Sequence, residues 1–232
     1  MTSPLRYELV EKTAILTMDD GKANALSEVM IEALIEALDR ADKEAAAIVL
    51  AGREGRFCAG FDLKVMMSSP DAAKALLRRG GDLLMKLYGS AVPIVIACTG
   101  HALAGGALVL LTADVRIGAA GPFRIGLNEV QIGLPVPVLA MELARDRIVP
   151  PELGKATLQA QIYGPDDAAR IGYLDEVIAP EQLLARAKAE AARLGAFARF
   201  PFSATKKRLR AKTIDYILAT MDEDMRTIMA GG

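Results

Sequence analysis

The sequence holds little of what disulfide-bonded, metal-binding and nucleic-acid-binding proteins depend on. Its 232 residues include only two cysteines and one histidine, and they carry a formal net charge of −1. Two cysteines imply no disulfide framework, so a reducing cytosol is the expected compartment. With one histidine and no Cys-x-x-Cys pair, no transition-metal site is expected. A net charge close to zero argues against a general nucleic-acid binder, which carries a basic excess.

Common nucleotide-binding and hydrolase motifs are also missing. No G-x-G occurs in the chain, which excludes the dinucleotide fingerprint, and no G-x-S-x-G occurs, which leaves a nucleophile-elbow hydrolase unsupported. The glycine-rich segment 100–106 lacks the Lys-Ser/Thr that a P-loop needs after its second glycine. The N-terminal region contains no apolar run of the kind found in signal peptides, so none is expected.

One nearly uncharged stretch, residues 91–115, is long enough to resemble a transmembrane helix. Pro93 and the glycines at 100, 105 and 106 interrupt it. A buried strand, a glycine loop and a buried helix fit this pattern better, and no membrane association is expected.

The rest of the chain alternates apolar segments of strand and helix length, which indicates an α/β domain. The composition, 52% hydrophobic and 25% charged, is ordinary for a soluble globular protein. Ser27 is the expected N-cap of a helix that reaches residue 44, because its hydroxyl can accept a free N–H of the first turn. The pattern also predicts strands at residues 7–10, 14–18, 47–51, 92–97, 115–118 and 172–178, and helices at 71–88, 107–113, 181–197, 204–211 and 214–230.

Two glycine loops and one carboxylate, in this order, carry the strongest chemical signal. The first loop reads Phe-Cys-Ala-Gly-Phe-Asp-Leu at residues 57–63, and the second reads Gly-His-Ala-Leu-Ala-Gly-Gly at residues 100–106. The carboxylate is Glu129, in the segment Gly-Leu-Asn-Glu. Glycine lets a backbone approach a ligand closely with its N–H free to donate. Two such N–H groups from separate loops can bracket one carbonyl oxygen while a nearby glutamate moves a proton.

This ordered set resembles the crotonase family, also called the enoyl-CoA hydratase/isomerase superfamily, over nearly the whole chain. The resemblance implies an α/β spiral of ββα units, with a CoA-thioester-binding core at residues 1–196 and a C-terminal helical tail for oligomerisation at residues 197–232. It implies an enzyme that stabilises a thioester enolate, with the N–H groups of Phe61 and Gly105 as the oxyanion hole and Glu129 as the acid/base. An apolar pocket would raise the pKa of Glu129 towards the working pH.

Leu108 departs from the family pattern. Typical hydratases of the family have a second glutamate three positions after the second oxyanion glycine, and they use two carboxylates to hold and split a water molecule. A 1,3-proton shift needs only one carboxylate, which takes a proton from C2 and returns it at C4. The resemblance therefore favours a Δ3-Δ2-enoyl-CoA isomerase over an enoyl-CoA hydratase. A CoA-thioester-binding homologue with reduced catalysis is the third interpretation.

The same resemblance implies which residues bind the CoA part of the substrate, without a separate cofactor or a metal. Backbone contacts from two loops would hold the adenine and the pantetheine. Lys22 and Lys64 are candidates for pairing with phosphates, although solvated surface lysines fit equally well, and Asp62 is expected to fix its loop rather than touch substrate. The candidate substrate-binding residues are Lys22, Ala23, Ala25, Ala59, Gly60, Asp62, Leu63, Lys64, Leu108 and Pro135.

Three further features have a plain structural interpretation. His101 is expected to be a packed histidine, away from the reacting atoms, and Cys58 a small core residue. The basic cluster Lys-Lys-Arg-Leu-Arg at residues 206–210 is expected to form a solvated helix face, with CoA phosphate contact and RNA binding as the alternatives.

The predicted C-terminal helices carry too many apolar side chains to stand alone in water. Part of that surface is expected to pack on the chain's own core and part on a neighbouring copy. Closed symmetric assembly is the usual arrangement of soluble homo-oligomers, and the resemblance implies a homotrimer or hexamer whose interface includes part of residues 201–229.

Overall fold

The computed structural model describes residues 3–230, and side chains as far as residue 228. Met1, Thr2, Gly231 and Gly232, which belong to the predicted core and tail, lie outside the described residues. The side chain of Met229, at the end of the expected interface, lies outside them as well.

Strands and helices alternate along the chain, which ends in two helices, the last of them 32 residues long. The strands are β1 (Leu5–Val10), β2 (Thr13–Met18), β3 (Ala47–Ala51), β4 (Gly55–Cys58), β5 (Ile94–Cys98), β6 (Gly100–Leu103), β7 (Val115–Ala119), β8 (Ile125–Gly126) and β9 (Glu176–Ile178). The helices are α1 (Glu28–Glu44), α2 (Leu63–Met66), α3 (Pro70–Tyr88), α4 (Gly105–Thr112), α5 (Val138–Arg147), α6 (Pro150–Thr157), α7 (Pro165–Ile171), α8 (Pro180–Gly195) and α9 (Arg199–Ala230).

The strands of the described residues form two sheets that the chain visits in turn. The larger sheet has the order β1-β2-β3-β5-β7-β9, and the smaller has the order β4-β6-β8. Only β1 and β2 pair antiparallel; the other pairings are parallel. Each of the strands β3, β5 and β7 in the larger sheet is followed by one in the smaller sheet and then by helical structure. This repeated ββα unit confirms the predicted crotonase-type spiral.

The central strands β3 and β5 of the larger sheet are buried on both faces, and the direction of their side chains explains the layers. Along β3, Ile48 and Leu50 point into the main core, while Ala47, Val49 and Ala51 point to the opposite side, where α8 packs. The side chains beneath α8 are mostly alanine and valine, which lets the helix lie close to the strands. Continuous burial of this kind is typical of parallel strands covered by helices on both faces.

The uncharged stretch forms β5, β6 and α4, as its interruptions predicted. All residues of α4 are buried, which explains why this short helix is apolar on every side. Among residues 3–230, no helix combines the length and the apolar character needed to cross a bilayer.

The structure confirms the predicted helix cap and corrects several other predicted elements. Ser27 caps α1, and its hydroxyl oxygen accepts the Met30 N–H. However, β4 and α2 have no periodicity long enough to detect and were not predicted. The last strand is shorter than residues 172–178, because Gly172, with φ +108°, ends α7 in the left-handed region before β9 begins.

The prediction of three terminal helices was wrong, because residues 204–230 lie in one helix, α9. Lys212 and Thr213 separate the two predicted segments, and neither breaks a helix. One buried stripe runs the length of α9 at helical spacing, and it is cationic in its first half and apolar in its second. Its members are Lys206, Arg210, Ile217, Met221, Met225 and Ile228.

The predicted solvated face at residues 206–210 was therefore wrong for two of its members. Lys206 Nζ lies 2.6 Å from Asp114 Oδ2, and Arg210 lies 2.9 Å from Asp114 Oδ1. Asp114 Oδ2 also accepts the Ile94 N–H, so one carboxylate joins α9 to the larger sheet. Burial lowers the pKa of Lys206 to about 8.

Removing this carboxylate tests how strongly the cluster holds α9. Asp114→Ala leaves two buried cations unpaired, and we expect it to lower the free energy of unfolding by about 3–5 kcal/mol. The matched control is Glu223→Ala, which removes the carboxylate of an exposed pair with Arg226 at 3.8 Å and should cost no more than about 1 kcal/mol. Denaturant unfolding measures both, and equal small losses would contradict the structural role of the cluster.

Candidate active site

The first glycine loop is held against the second by a close backbone approach. Gly60 has φ +92°, and a Cβ there would lie 3.0 Å from the Leu103 carbonyl oxygen and 3.1 Å from the Gly105 nitrogen. Both the conformation and the space therefore require glycine. The contact brings Phe61 and Gly105, the two predicted oxyanion donors, to the same place.

The Phe61 ring lies between two helices, in the space left by glycines that have no side chain. A Cβ on Gly80 of α3 would lie 2.2 Å from the ring, and a Cβ on Gly105 of α4 would lie 3.1 Å from it. On either side of Phe61 the backbone is tied to Leu26, which donates to the Gly60 carbonyl at 2.8 Å and accepts from the Asp62 N–H at 3.3 Å. The Phe61 N–H takes part in neither bond, and it donates to no backbone carbonyl of the described residues.

The second donor, the Gly105 N–H, opens the buried helix α4. As the first residue of the helix, Gly105 has no partner for its N–H within the helix. The positive end of the helix dipole adds to the field that an anion would meet there. The preceding residue, Ala104, has φ +48° and ψ −122°, a region that residues with a side chain rarely occupy. Backbone strain of this kind is typical of functional sites.

Ala104 is held in its strained conformation from both sides. Its N–H donates to the Gly126 carbonyl at 3.0 Å, and its carbonyl accepts the Leu108 N–H at 3.0 Å. The first bond joins the second glycine loop to the strand that leads to Glu129. Sequence reasoning assigned Ala104 no role, since an alanine before two glycines gives no sign of a positive φ.

Glu129 is a buried carboxylate with one oxygen that lacks a hydrogen-bond partner. Its side chain is 7% exposed, and its Oε2 has no hydrogen-bond partner among the described residues. Burial raises its pKa above the ordinary value. The neighbouring Asn128 also has a buried oxygen, Oδ1, that lacks a described partner. Buried polar atoms without partners are rare in native proteins, so this pair marks a place where a ligand supplies what the protein does not.

A cavity of about 160 Å³ brings these groups together. Ala104 and Asn128 line it, and Glu129 is the ionisable residue of its described lining. Leu108, 3% exposed, forms part of the apolar wall of the cavity. The predicted site residues that line the cavity are Ala59, Phe61, Leu63, Leu108, Glu129 and Pro135.

The remaining candidate residues lie outside the lining of this cavity. Lys22 and Lys64 are exposed, and Ala23 and Ala25 are half-buried. The Ala23 carbonyl accepts the Ala59 N–H at 3.1 Å, so the loop of residues 22–25 lies directly beside the loop that enters the cavity. A ligand that reaches from the cavity to the surface can meet both loops.

Buried Asn24, to which the sequence assigned no separate role, fixes the loop of residues 22–25. Asn24 has φ +54°, and its Nδ2 donates to the carbonyls of Met18, Arg56 and Phe57. Asp20 accepts the N–H groups of the same loop. The sequence does carry a signal, because aspartate and asparagine around a glycine form side-chain-to-backbone turns.

Asp62, His101 and Cys58 occupy structural positions of the kind expected from the sequence. The Asp62 carboxylate accepts the Lys64 N–H at 2.9 Å and caps α2. His101 Nδ1 accepts the Arg124 N–H at 3.0 Å, and its ring packs edge-on against Phe123. Cys58 is fully buried, and burial raises the pKa of its thiol to about 12.

Phe61 and Glu129 therefore line one largely apolar cavity, and Gly105, the first residue of α4, packs against the Phe61 ring. A family model described as enoyl-CoA hydratase/isomerase matches residues 9–229. The chain belongs to the enoyl-CoA hydratase/isomerase family. This membership confirms the resemblance that the two loops and Glu129 indicated.

Individual family members are similar over most of the chain. Human mitochondrial enoyl-CoA delta isomerase 1 is 28% identical over 94% of this chain and 74% of its own length. A probable enoyl-CoA hydratase of Rhodobacter capsulatus is 32% identical over 89% of this chain and 81% of its own. The crystal structure of a family protein from Pseudomonas syringae is 40% identical, covers 97% of this chain and 98% of its own, and superimposes with a TM-score of 0.95.

The burial of Glu129 without a partner for Oε2 predicts an effect of this residue on the stability of the fold. Burial raises the pKa of Glu129 in the folded state. The folded protein therefore loses stability as the pH rises above the pKa that Glu129 has in the unfolded chain, and the loss is complete above its pKa in the folded protein. We expect Glu129→Gln to unfold at a higher temperature than the parent at pH 8, with a difference that shrinks as the pH falls towards the ordinary glutamate pKa.

Thermal unfolding from pH 8 down to pH 5 measures this difference. The control is Glu36→Gln on the exposed side of α1, which should change the midpoint little at any pH. A Glu129→Gln protein that is less stable than its parent throughout would mean that a partner stabilises the ionised carboxylate.

Proposed function

We propose that the protein is a Δ3-Δ2-enoyl-CoA isomerase. The observation that carries the proposal is the carboxylate of Glu129, the one acid among the described residues that line the active-site cavity, and its Oε2 has no described partner. Leu108 supplies an aliphatic wall where a second acid would be needed to hold a water molecule. One acid with one free oxygen suits a reaction that moves a proton and adds nothing.

The geometry supports the following sequence of events. The thioester oxygen accepts the N–H groups of Phe61 and Gly105, and Glu129 removes a proton from C2. The electron pair of that C–H bond moves into an enolate conjugated with the C3–C4 double bond, with its charge on the thioester oxygen. Glu129 then returns the proton at C4, which leaves the double bond between C2 and C3. A fixed donor at such an oxygen typically contributes about 10²–10³ in rate.

The raised pKa of Glu129 suits both halves of this sequence. A carboxylate with an ordinary pKa is a weak base, whereas one in an apolar cavity is a stronger base when ionised and still releases its proton. Because the cavity walls around it are apolar, the proton is kept from solvent while the enolate exists.

The CoA part of the substrate would leave the cavity along the two adjacent loops. The backbone of residues 22–25 and 59–60 would contact the pantetheine and adenine, since Asn24 and Gly60 hold the two loops together. Lys22 and Lys64 are exposed on these loops and would pair with phosphates.

Hydration is the alternative reaction, and the Rhodobacter capsulatus relative is named a probable hydratase. It would require a second group to activate water. Asp224 lies near the active-site cavity, lining an adjoining one, but its Oδ2 already accepts the Val138 N–H at 2.7 Å. The arrangement therefore favours the proton shift.

Product mass tests the reaction directly. Given 3-enoyl-CoA, the protein is expected to form trans-2-enoyl-CoA of unchanged mass, and given trans-2-enoyl-CoA it should add no water. Glu129→Gln should lower turnover by about 10²–10⁴-fold while CoA-thioester affinity stays within a few-fold. A product heavier by one water would identify a hydratase, and tight binding without turnover would identify a non-catalytic homologue.

Leu108→Glu tests whether the missing second acid decides the reaction. We expect the variant to gain hydratase activity relative to isomerase activity, since it regains the pair of carboxylates that hydration uses. An unpaired carboxylate in an apolar wall is costly, so the control is Leu108→Gln, which adds a side chain of similar size without the acid. A folded, CoA-binding Leu108→Glu protein whose product ratio matches Leu108→Gln would overturn the assignment.

We also propose that the protein assembles as a homotrimer or hexamer through the outer side of α9. The inner stripe of α9 covers the chain's own core, but large apolar side chains on the rest of the helix stay exposed. Phe200 and Leu209 are 81% and 74% exposed, and Tyr216 and Leu218 are about half exposed. These exposed apolar side chains flank the inner stripe on both sides of the helix, and apolar surface of this kind is typical of an interface.

Light scattering at micromolar concentration is expected to give three or six times the chain mass. The double substitution Phe200→Asp with Leu209→Asp should lower the measured mass, because it places charges in the contact. The control is Val29→Asp at another exposed apolar position, on α1 (64% exposed), which should leave the mass unchanged. A parent protein that is monomeric would refute the assembly.

A further inference from the structure

A second, smaller cavity lies behind the active-site cavity, between α3 and α9. It has a volume of about 50 Å³ and shares five lining residues with the first cavity. These shared residues are Phe61, Leu77, Leu108, Pro137 and Ile228. All five are apolar, so the two cavities share an apolar wall.

The wall opposite this shared wall is formed by α3 and α9. Gly81 of α3 faces Met221 of α9, and a Cβ on Gly81 would lie 2.9 Å from Met221 Cε and 3.1 Å from its Sδ. The absence of a side chain at Gly81 therefore creates the room that the Met221 thioether reaches into. Methionine is unbranched and flexible, so this thioether can withdraw when another apolar group enters.

The other groups at the far side of the cavity fit an uncharged occupant. Ile217 and Met225 are buried on the inner stripe of α9. Asp224 is the ionisable residue of the described lining, and its Oδ2 accepts a hydrogen bond from the Val138 N–H. No cation lines the space within residues 3–228 to attract a charged ligand.

We propose that the acyl tail of the substrate, beyond the carbons that react, passes the Phe61 ring into this second cavity, and that Gly81 and Met221 set the length of tail that binds. The proposal rests on the proposed function, because it takes an acyl-CoA as the ligand. With the thioester at Phe61 and Gly105 and C2 to C4 beside Glu129, the CoA leaves along the surface loops, and the apolar tail continues inward.

Binding of saturated acyl-CoA tests the channel without any turnover. Calorimetry with six-carbon and ten-carbon acyl-CoA is expected to give at least tenfold tighter binding of the longer chain, since each fully buried methylene contributes up to about fourfold. Gly81→Val fills the channel and should reduce this preference at least fivefold. The matched control is Gly154→Val, a helical glycine of α6 with nothing within 4 Å of its Cβ position, which should keep the parent's preference.

A second variant keeps the test valid if Gly81→Val fails to fold. Met221→Ala adds no atoms and deepens the channel, so it should tighten twelve-carbon relative to ten-carbon acyl-CoA several-fold. Equal affinity of the parent for six- and ten-carbon chains, or a Met221→Ala protein with the parent's chain-length profile, would overturn the proposal.

These outcomes are separate from those of the proposed function. A chain-length preference that depends on Gly81 in a protein that does not isomerise 3-enoyl-CoA would support the channel and refute the isomerase. Isomerisation by a protein with no chain-length preference would do the reverse.

Discussion

The close approach of the two glycine loops is the constraint on which the rest of the site depends. Gly60 touches the backbone of residues 103–105, and this contact places two backbone N–H groups from separate parts of the chain at one point. The hydrogen bonds of Leu26 to Gly60 and Asp62 hold the backbone on either side of Phe61, and the Phe61 ring packs between Gly80 and Gly105. In the proposed reaction, a donor that is held in place beforehand needs no reorganisation when charge develops on the thioester oxygen.

The second requirement is an isolated acid, and it conflicts with stability. Glu129 is buried without a partner for Oε2, and Asn128 beside it is in the same position. Both arrangements disfavour the folded chain, which is stabilised elsewhere by the buried central strands of the larger sheet and by the Asp114 cluster that anchors α9. Since α9 lines the second cavity and reaches the first through Ile228, the cluster that anchors it supports the shape of the site from a distance.

What the sequence predicted well depended on local patterns or on the resemblance. Ser27 could be recognised as a cap because its partner lies three residues away. The features that could not be predicted from the sequence arise from contacts between segments that are far apart along the chain. Lys206 is read as a surface lysine until Asp114, 92 residues away, is placed beside it. By helix propensity alone Gly80 only destabilises its helix, whereas in the structure the Phe61 ring occupies the volume that a side chain at Gly80 would need.

In the proposed reaction, one carboxylate carries a proton from C2 to C4 inside an apolar cavity. The most direct measurement uses 3-enoyl-CoA deuterated at C2, a single turnover in ordinary water, and location of the label in the product by mass spectrometry. We expect a product of unhydrated mass in which a substantial share of the label has moved to C4. A product whose new C4 hydrogen comes entirely from solvent, or one that carries an added water, would contradict it.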